Sequence, residues 1–152
     1  MTAEGAFDIF FCVLLFLPAI EDSKTGYISD WETMLLAAFG CLHWFFFGQM
    51  TDLIASGLVF LFFGILFWMF RGAMGSGDVF LAAAISLWLT PPASAVFVWL
   101  SFFLGGFSGL LLILFHVKQF RGALSFAPFL CASGGFSYFW GNWLWSEWLL
   151  LF

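Results

Sequence analysis

Six apolar segments separated by short loops constrain this chain more than any other feature of its sequence. Hydrophobic residues make up 64% of the 152 residues and charged residues only 9%, and a soluble domain of this length could not keep so much apolar surface away from water. The segments cover approximately residues 5–20, 31–47, 53–70, 79–89, 93–117 and 124 onward. All but the fourth approach the length of a helix that crosses the hydrocarbon core. We therefore expect an all-α, polytopic membrane protein with six transmembrane helices, folded as a single membrane-embedded domain over residues 1–152.

The four basic residues predict how these helices are oriented. Because the loops are short, consecutive helices must be antiparallel, so odd-numbered and even-numbered loops lie on opposite sides of the membrane. Lys24, Arg71, Lys118 and Arg121 all fall in odd-numbered loops. Basic residues favour the cytoplasmic side, so the sequence predicts that these loops are cytoplasmic and that both termini lie outside.

Two aspartates, Asp22 and Asp78, lie at predicted membrane-buried helix ends on the same face. Asp22 closes the first apolar segment and Asp78 opens the fourth. Two complete crossings separate them, which returns the chain to the cytoplasmic side and allows the two carboxyl groups to meet. An ionisable residue at such a position is costly and is therefore a functional candidate.

The glycines before Asp78 predict a polar cavity. In the segment Met74-Gly75-Ser76-Gly77, the glycines let backbone segments approach closely and permit positive φ. Irregular backbone at membrane depth is tolerated only where protein or water surrounds it. Two carboxyl groups in such a cavity cannot easily both ionise, so one should hold a proton near neutral pH. The pair could then activate a water and protonate a leaving amine, although a helix break with a capping aspartate is an alternative interpretation.

The motifs around both aspartates resemble those of the type IV prepilin peptidases, a family of GxGD intramembrane aspartyl proteases. Residues 75–78 match the GxGD signature at the start of the family's fourth core helix. Residues 22–30 resemble the family's first motif, in which Asn or Asp follows the aspartate by eight positions, with an aliphatic residue two positions earlier. Ile28 and Asp30 occupy these two places.

A third segment extends the resemblance over nearly the whole chain. Residues 126–130, which include Pro128, are similar to the Phe-Gly-Pro-Phe/Tyr-Leu segment that opens the family's last helix. The resemblance implies that Asp22 and Asp78 are catalytic. It implies an endopeptidase that removes the short basic leader of prepilin-like substrates at the cytoplasmic face of the prokaryotic inner membrane. The residues that support the motifs are Gly75, Gly77, Ile28, Asp30 and Pro128.

The comparison with the family pattern adds three further expectations. Longer members carry an N-terminal segment associated with N-methylation, and this chain resembles the peptidase core alone, as in short pilus-assembly and preflagellin peptidases. Ser29 stands where the family usually has proline, which should loosen a turn. Phe80 stands where the family usually has lysine, which removes a basic residue close to the two aspartates.

Three acids crowd the first predicted cytoplasmic loop and have two interpretations. Glu21, Asp30 and Glu32 could form a solvated acidic turn that caps the second helix. Alternatively, they could bind substrate by attracting the basic leader. In that case neutralising Asp30 and Glu32 should weaken cleavage more at low salt than at high salt.

The remaining residues narrow the range of partners and cofactors. We expect a prepilin-like protein substrate (a pilin, pseudopilin or preflagellin) and membrane lipids as partners. Four basic residues are too few for nucleic-acid binding, and the oligomeric state is left open. Cys12, Cys41 and Cys131 form no metal-binding motif, so neither a metal nor another cofactor is expected. The alternatives are a catalytically inactive relative and a small proton- or cation-coupled transport protein, because paired intramembrane acids also serve in transporters.

Overall fold

The computed structural model describes residues 3–70, 74–114 and 125–150, and its six helices confirm the all-α prediction for this part of the chain. Their order follows the six apolar segments, with boundaries shifted by a few residues. The helices are α1 (Ala3–Thr25), α2 (Asp30–Phe47), α3 (Met50–Met69), α4 (Ser76–Ser86), α5 (Pro91–Leu114) and α6 (Ala127–Leu150).

Local signals in the sequence explain where α1 ends and where α3 begins. Gly26, with φ of 70°, follows the end of α1, and its N–H donates to the carbonyl oxygen of Asp22 at 2.9 Å. A left-handed glycine at this position is the common helix terminator, since glycine has no Cβ to clash. At the start of α3, the backbone N–H of Gln49 donates to the Asp52 carboxylate at 2.7 Å. This contact satisfies a donor that the helix itself leaves unpaired.

Within the described residues, two helices are long and apolar enough to cross a membrane by length and composition, namely Met50–Met69 and Pro91–Leu111. The orientation predicted from the basic residues stays a prediction, because only Lys24, in the last turn of α1, belongs to the described part. The other three basic residues, Arg71, Lys118 and Arg121, lie outside the described residues.

Helix α4 is short, with 11 residues, and it is enclosed by α2, α3 and α6. Seven of its residues are buried, so it is surrounded by protein over most of its surface. The Ser86 hydroxyl at its end bonds that of Ser56 on α3 at 3.1 Å. In the turn that follows, the Trp88 indole N–H donates to the Leu36 carbonyl on α2 at 3.1 Å. Such interhelical hydrogen bonds hold neighbouring helices in register, and here they fix the helix that begins near Asp78.

Candidate active site

Asp22 lies near the end of α1, and its buried side chain contacts the start of α6. Its Oδ2 accepts hydrogen bonds from the Ser125 hydroxyl and from the backbone N–H of Ala127, the latter at 3.2 Å. The first N–H groups of a helix have no intrahelical acceptor, so the carboxylate satisfies one of them at α6. The two donors fix the orientation of the Asp22 carboxylate.

Asp78 lies in the first turn of α4, where its buried side chain bonds the preceding backbone. Its Oδ2 accepts the N–H of Gly75 at 3.3 Å. A Cβ added to Gly77 would lie 3.4 Å from the Ile28 side chain, so the GxGD backbone and the first motif are in close contact. Glycine would permit positive φ in this segment, but Gly75 has φ of −76°; Gly26, in the loop after α1, has φ of 70°.

The structure brings Asp22 and Asp78 into one cavity of about 380 Å³. The two carboxyl groups are close enough for their charges to interact. The cavity is built from the loop between α1 and α2, the start of α4 and the residues that lead into α6. Its lining consists of Asp22, Gly26, Tyr27, Ile28, Asp30, Gly75, Ser76, Gly77, Asp78, Ser125 and Phe126.

An apolar groove of about 300 Å³ lies on the other side of Asp78. Asp78 and Phe126 line both the cavity and the groove, so this carboxyl group sits at a boundary between polar and apolar space. The Phe126 ring packs tightly on α5, because a Cβ added to Gly105 would lie 2.7 Å from it. Besides Asp78 and Phe126, the groove is lined by Leu66, Phe70, Met74, Phe102 and Gly105.

The remaining predicted site residues are divided between the cavity and its surroundings. Asp30 is exposed and lines the cavity. Glu32 is buried, and its Oε2 has no hydrogen-bond partner in the described part of the chain. Glu21 bonds Ser29, and neither glutamate lines the cavity. Pro128, in the first turn of α6, faces a separate groove shared with α1. A role of these acids in attracting substrate stays a prediction.

The turn at Ser29, which the sequence suggested would be loose, is tied by two hydrogen bonds. The Ser29 hydroxyl donates to Glu21 Oε1 at 2.7 Å, and its backbone N–H donates to Oε2 at 3.2 Å. The Ser29 hydroxyl, as the strongest influence, lowers the pKa of the Glu21 carboxyl below its usual range. Phe80, the second departure from the family pattern, packs its ring against Phe60 with centroids 5.8 Å apart and does not line the cavity.

Two contacts at the site were not anticipated from the sequence. The first joins Ser125 to Asp22 across 103 positions, and the second joins Ser29 to Glu21 across eight. Ser125 did carry a signal, because serine is favoured just before a helix begins. That signal indicates the start of a helix but not which acceptor the hydroxyl finds.

Known proteins resemble this chain over most of its length. The family model described as "Type IV leader peptidase family" matches residues 9–110, which include both aspartates. A prepilin leader peptidase/N-methyltransferase of Burkholderia pseudomallei (strain 1026b) is 30% identical over 139 residues, covering 86% of this chain and 45% of the relative. A protein of the same name from Legionella pneumophila is 35% identical over 80 residues, covering 50% of this chain and 28% of the relative.

The matches cover different shares of this chain and of its relatives. The chain spans less than half the length of the curated relatives that it matches. No solved structure matches it. The family match alone covers more than half of the chain and contains α2, α3 and α4 entire. On this evidence, the chain belongs to the type IV leader peptidase family.

Proposed function

We propose that this chain is an intramembrane aspartyl endopeptidase that removes the short leader peptide of type IV prepilin-like substrates. Asp22 and Asp78 form its catalytic dyad. Family membership supports the reaction class, and the names of the relatives, prepilin leader peptidases, support leader peptides of prepilins as the substrate class. Pilins, pseudopilins and preflagellins are the candidate substrates.

The observation that carries this proposal is the shared polar cavity of Asp22 and Asp78. Its two carboxyl groups come from helices distant in sequence, and each is oriented by hydrogen bonds from backbone or hydroxyl donors. A helix break with a merely capping aspartate would require only the Gly75 contact of Asp78. It would not require a second buried carboxyl group in the same cavity.

The chemistry follows from two carboxyl groups that share one proton. The ionised group takes a proton from a water molecule while the water oxygen attacks the carbonyl carbon of the scissile peptide bond. The protonated group donates its proton to the carbonyl oxygen, which gives a tetrahedral intermediate. When the intermediate collapses, the C–N bond breaks and a proton passes to the leaving amine. Because the pair titrates as a unit, the acid and base roles are not divided between the two residues.

The surroundings of the dyad suit an extended peptide of mixed polarity. Asp78 lies between the polar cavity and the apolar groove, so a substrate backbone that passes this carboxyl group meets polar space on one side and apolar space on the other. The exposed carboxylate of Asp30 lines the polar side. A basic leader would lie there, attracted by this negative charge.

The proposed enzyme is a single membrane-embedded domain over residues 1–152 with six transmembrane helices. It lies in a prokaryotic inner membrane, with both termini outside and the dyad at the cytoplasmic face. Two helices long and apolar enough to cross a membrane support a membrane location. The enclosed position of α4 is consistent with a short helix that enters the membrane beside a water-filled cavity. The orientation rests on the basic residues of the odd-numbered loops.

Co-expression with a tagged prepilin that carries a short basic leader tests the proposal. Wild type should shift the substrate band on a gel, and Asp22→Asn and Asp78→Asn should abolish the shift. Asp52→Asn is the matched control, because Asp52 is also a buried aspartate but accepts the N–H of Gln49, the N-cap of α3, and the side-chain oxygen of asparagine can accept the same hydrogen bond. Processing that survives either dyad substitution contradicts the aspartyl mechanism. Loss of processing in Asp52→Asn would show that the assay reports folding instead.

A further inference from the structure

The carboxylate of Glu21 and both donors of Ser29 form a closed bridge at the base of the loop between α1 and α2. Glu21 is the residue before Asp22, and Ser29 is the N-cap of α2. The two contacts use both carboxylate oxygens, one for the hydroxyl and one for the backbone N–H. Hydrogen bonds to an ionised carboxylate are stronger than neutral ones, so this bridge is a firm local constraint.

The bridge spans the residues that carry the first motif to the cavity. Gly26, Tyr27 and Ile28 lie inside the closed loop and line the cavity with Asp22. Ile28 is also the side chain that contacts the backbone of Gly77. The loop therefore packs directly against the residue before Asp78, so a change in loop position would move one carboxyl group relative to the other.

We propose that Glu21 and Ser29 are positioning residues that hold the Asp22 loop against the Gly75–Asp78 segment and so set the geometry of the dyad. The inference rests on the proposed peptidase function and deepens it. Neither residue lines the cavity, so neither touches the substrate at the dyad. Glu21 acts through its neighbour Asp22, and Ser29 acts through its neighbour Ile28.

The bridge also explains how the chain dispenses with the proline usual at this position of the family motif. Ser29 has φ of −70° and ψ of 129°, which are values that proline also adopts. Proline would restrain this backbone through its ring, but it has neither an N–H nor a hydroxyl for Glu21. In this chain, two hydrogen bonds to a neighbouring carboxylate supply the restraint instead.

Steady-state cleavage of the tagged prepilin by the purified full chain tests the proposal. Ser29→Ala and Glu21→Ala should each lower kcat on the order of tenfold, since small misplacements of reacting groups are costly, with KM nearly unchanged. Ser29→Thr keeps the hydroxyl and the N–H and should restore kcat. The double variant should be no slower than Glu21→Ala, because Glu21→Ala already removes both contacts of the bridge, whereas Ser29→Ala removes only the hydroxyl contact. The control is Ser23→Ala, whose exposed hydroxyl bonds only its own helix at Ala19.

Three results would each overturn the positioning role. Ser29→Ala could have the kcat of wild type, the losses of the two single variants could multiply in the double variant, or Ser29→Thr could be as slow as Ser29→Ala. Such results would leave the proposed function intact as long as Asp22→Asn and Asp78→Asn remain inactive. Inactivity of wild type on every prepilin tried would instead count against the proposed function. In that case the bridge can still be tested by a measurement that does not depend on catalytic activity.

Limited digestion with trypsin provides that independent measurement. Lys24 is exposed in the last turn of α1, inside the span that the bridge closes. Loss of the bridge should increase local opening of this segment. Cleavage after Lys24 should therefore be severalfold faster in Ser29→Ala and Glu21→Ala than in wild type, and Ser29→Thr should match wild type. Equal cleavage rates in all four proteins would overturn the proposal.

Discussion

Gly134 of α6 packs directly against Ile85 of α4, and Gly134→Ala is expected to weaken the fold around Asp78. A Cβ added at Gly134 would lie 2.6 Å from Cγ2 of Ile85. Real Cβ atoms do not approach other carbons so closely, and Ile85 has no exposed surface into which to move. Its branched side chain is also stiff about χ1. The helices must therefore separate, and α4 carries Asp78.

The magnitude follows from two opposing effects. Forcing an extra methyl group into a packed interface costs about 1–3 kcal/mol, whereas replacing glycine by alanine inside a helix contributes about 0.5–1 kcal/mol of stability. The neighbouring substitution Gly135→Ala has the same helical gain, but its Cβ would lie 3.5 Å from Leu15, which is ordinary contact. The difference between the two variants therefore isolates the clash at Ile85, at about 1–3 kcal/mol.

Thermal unfolding of both variants in the same detergent provides the assay. A change of 1 kcal/mol shifts the midpoint by about 2–4 °C for a chain of this size, so Gly134→Ala should unfold several degrees below Gly135→Ala. Prepilin cleavage by Gly134→Ala should also be slower, since α4 shifts. Equal midpoints for the two variants would contradict a clash at Ile85, because the contact with Ile85 is what distinguishes position 134 from position 135.

Three other perturbations have defined outcomes. Ser125→Ala removes one of the two hydrogen-bond donors to Asp22 and should lower kcat on the order of tenfold. Ser125→Thr keeps the hydroxyl and should restore kcat. An unchanged kcat in Ser125→Ala would mean that the backbone donor alone orients the carboxylate. Asp30→Asn should weaken cleavage of a basic-leader substrate more at low salt than at high salt, and equal effects would contradict an electrostatic role. Trp88→Phe deletes the hydrogen bond to Leu36 and should lower the free energy of unfolding by about 1 kcal/mol. An unchanged free energy of unfolding would show that this hydrogen bond does not stabilise the fold.

Sequence patterns predicted the helices because the signals involved are local. The length of each apolar run is fixed by consecutive residues, and helix boundaries follow from glycine, serine and acidic residues within a turn of each end. Gly26 shows how far such local reasoning extends: a glycine after the apolar run does end α1. The same reasoning said only that the glycines before Asp78 permit positive φ, and Gly75 is in fact extended.

The two aspartates were found from sequence, but their environment was not. Counting helices indicates on which face a residue lies, and motif spacing indicates which residues share a segment. Neither indicates which donor reaches a given carboxylate. The partner of Asp22 proved to be Ser125, 103 positions away, and the expected loose turn at Ser29 proved to be bridged to Glu21.

Six helices and two acids on one predicted face could therefore be inferred from sequence alone, because apolar run length and loop parity are properties of consecutive residues. Tertiary packing was needed to establish that the loop between α1 and α2, the start of α4 and the residues before α6 enclose one cavity, that Asp30 lines it and that Glu32 does not. Those outcomes depend on how helices rotate and approach one another, which is set by close contacts such as Gly134 on Ile85 and Gly77 on Ile28. Such contacts join residues far apart in the chain, and no local pattern in the sequence specifies them.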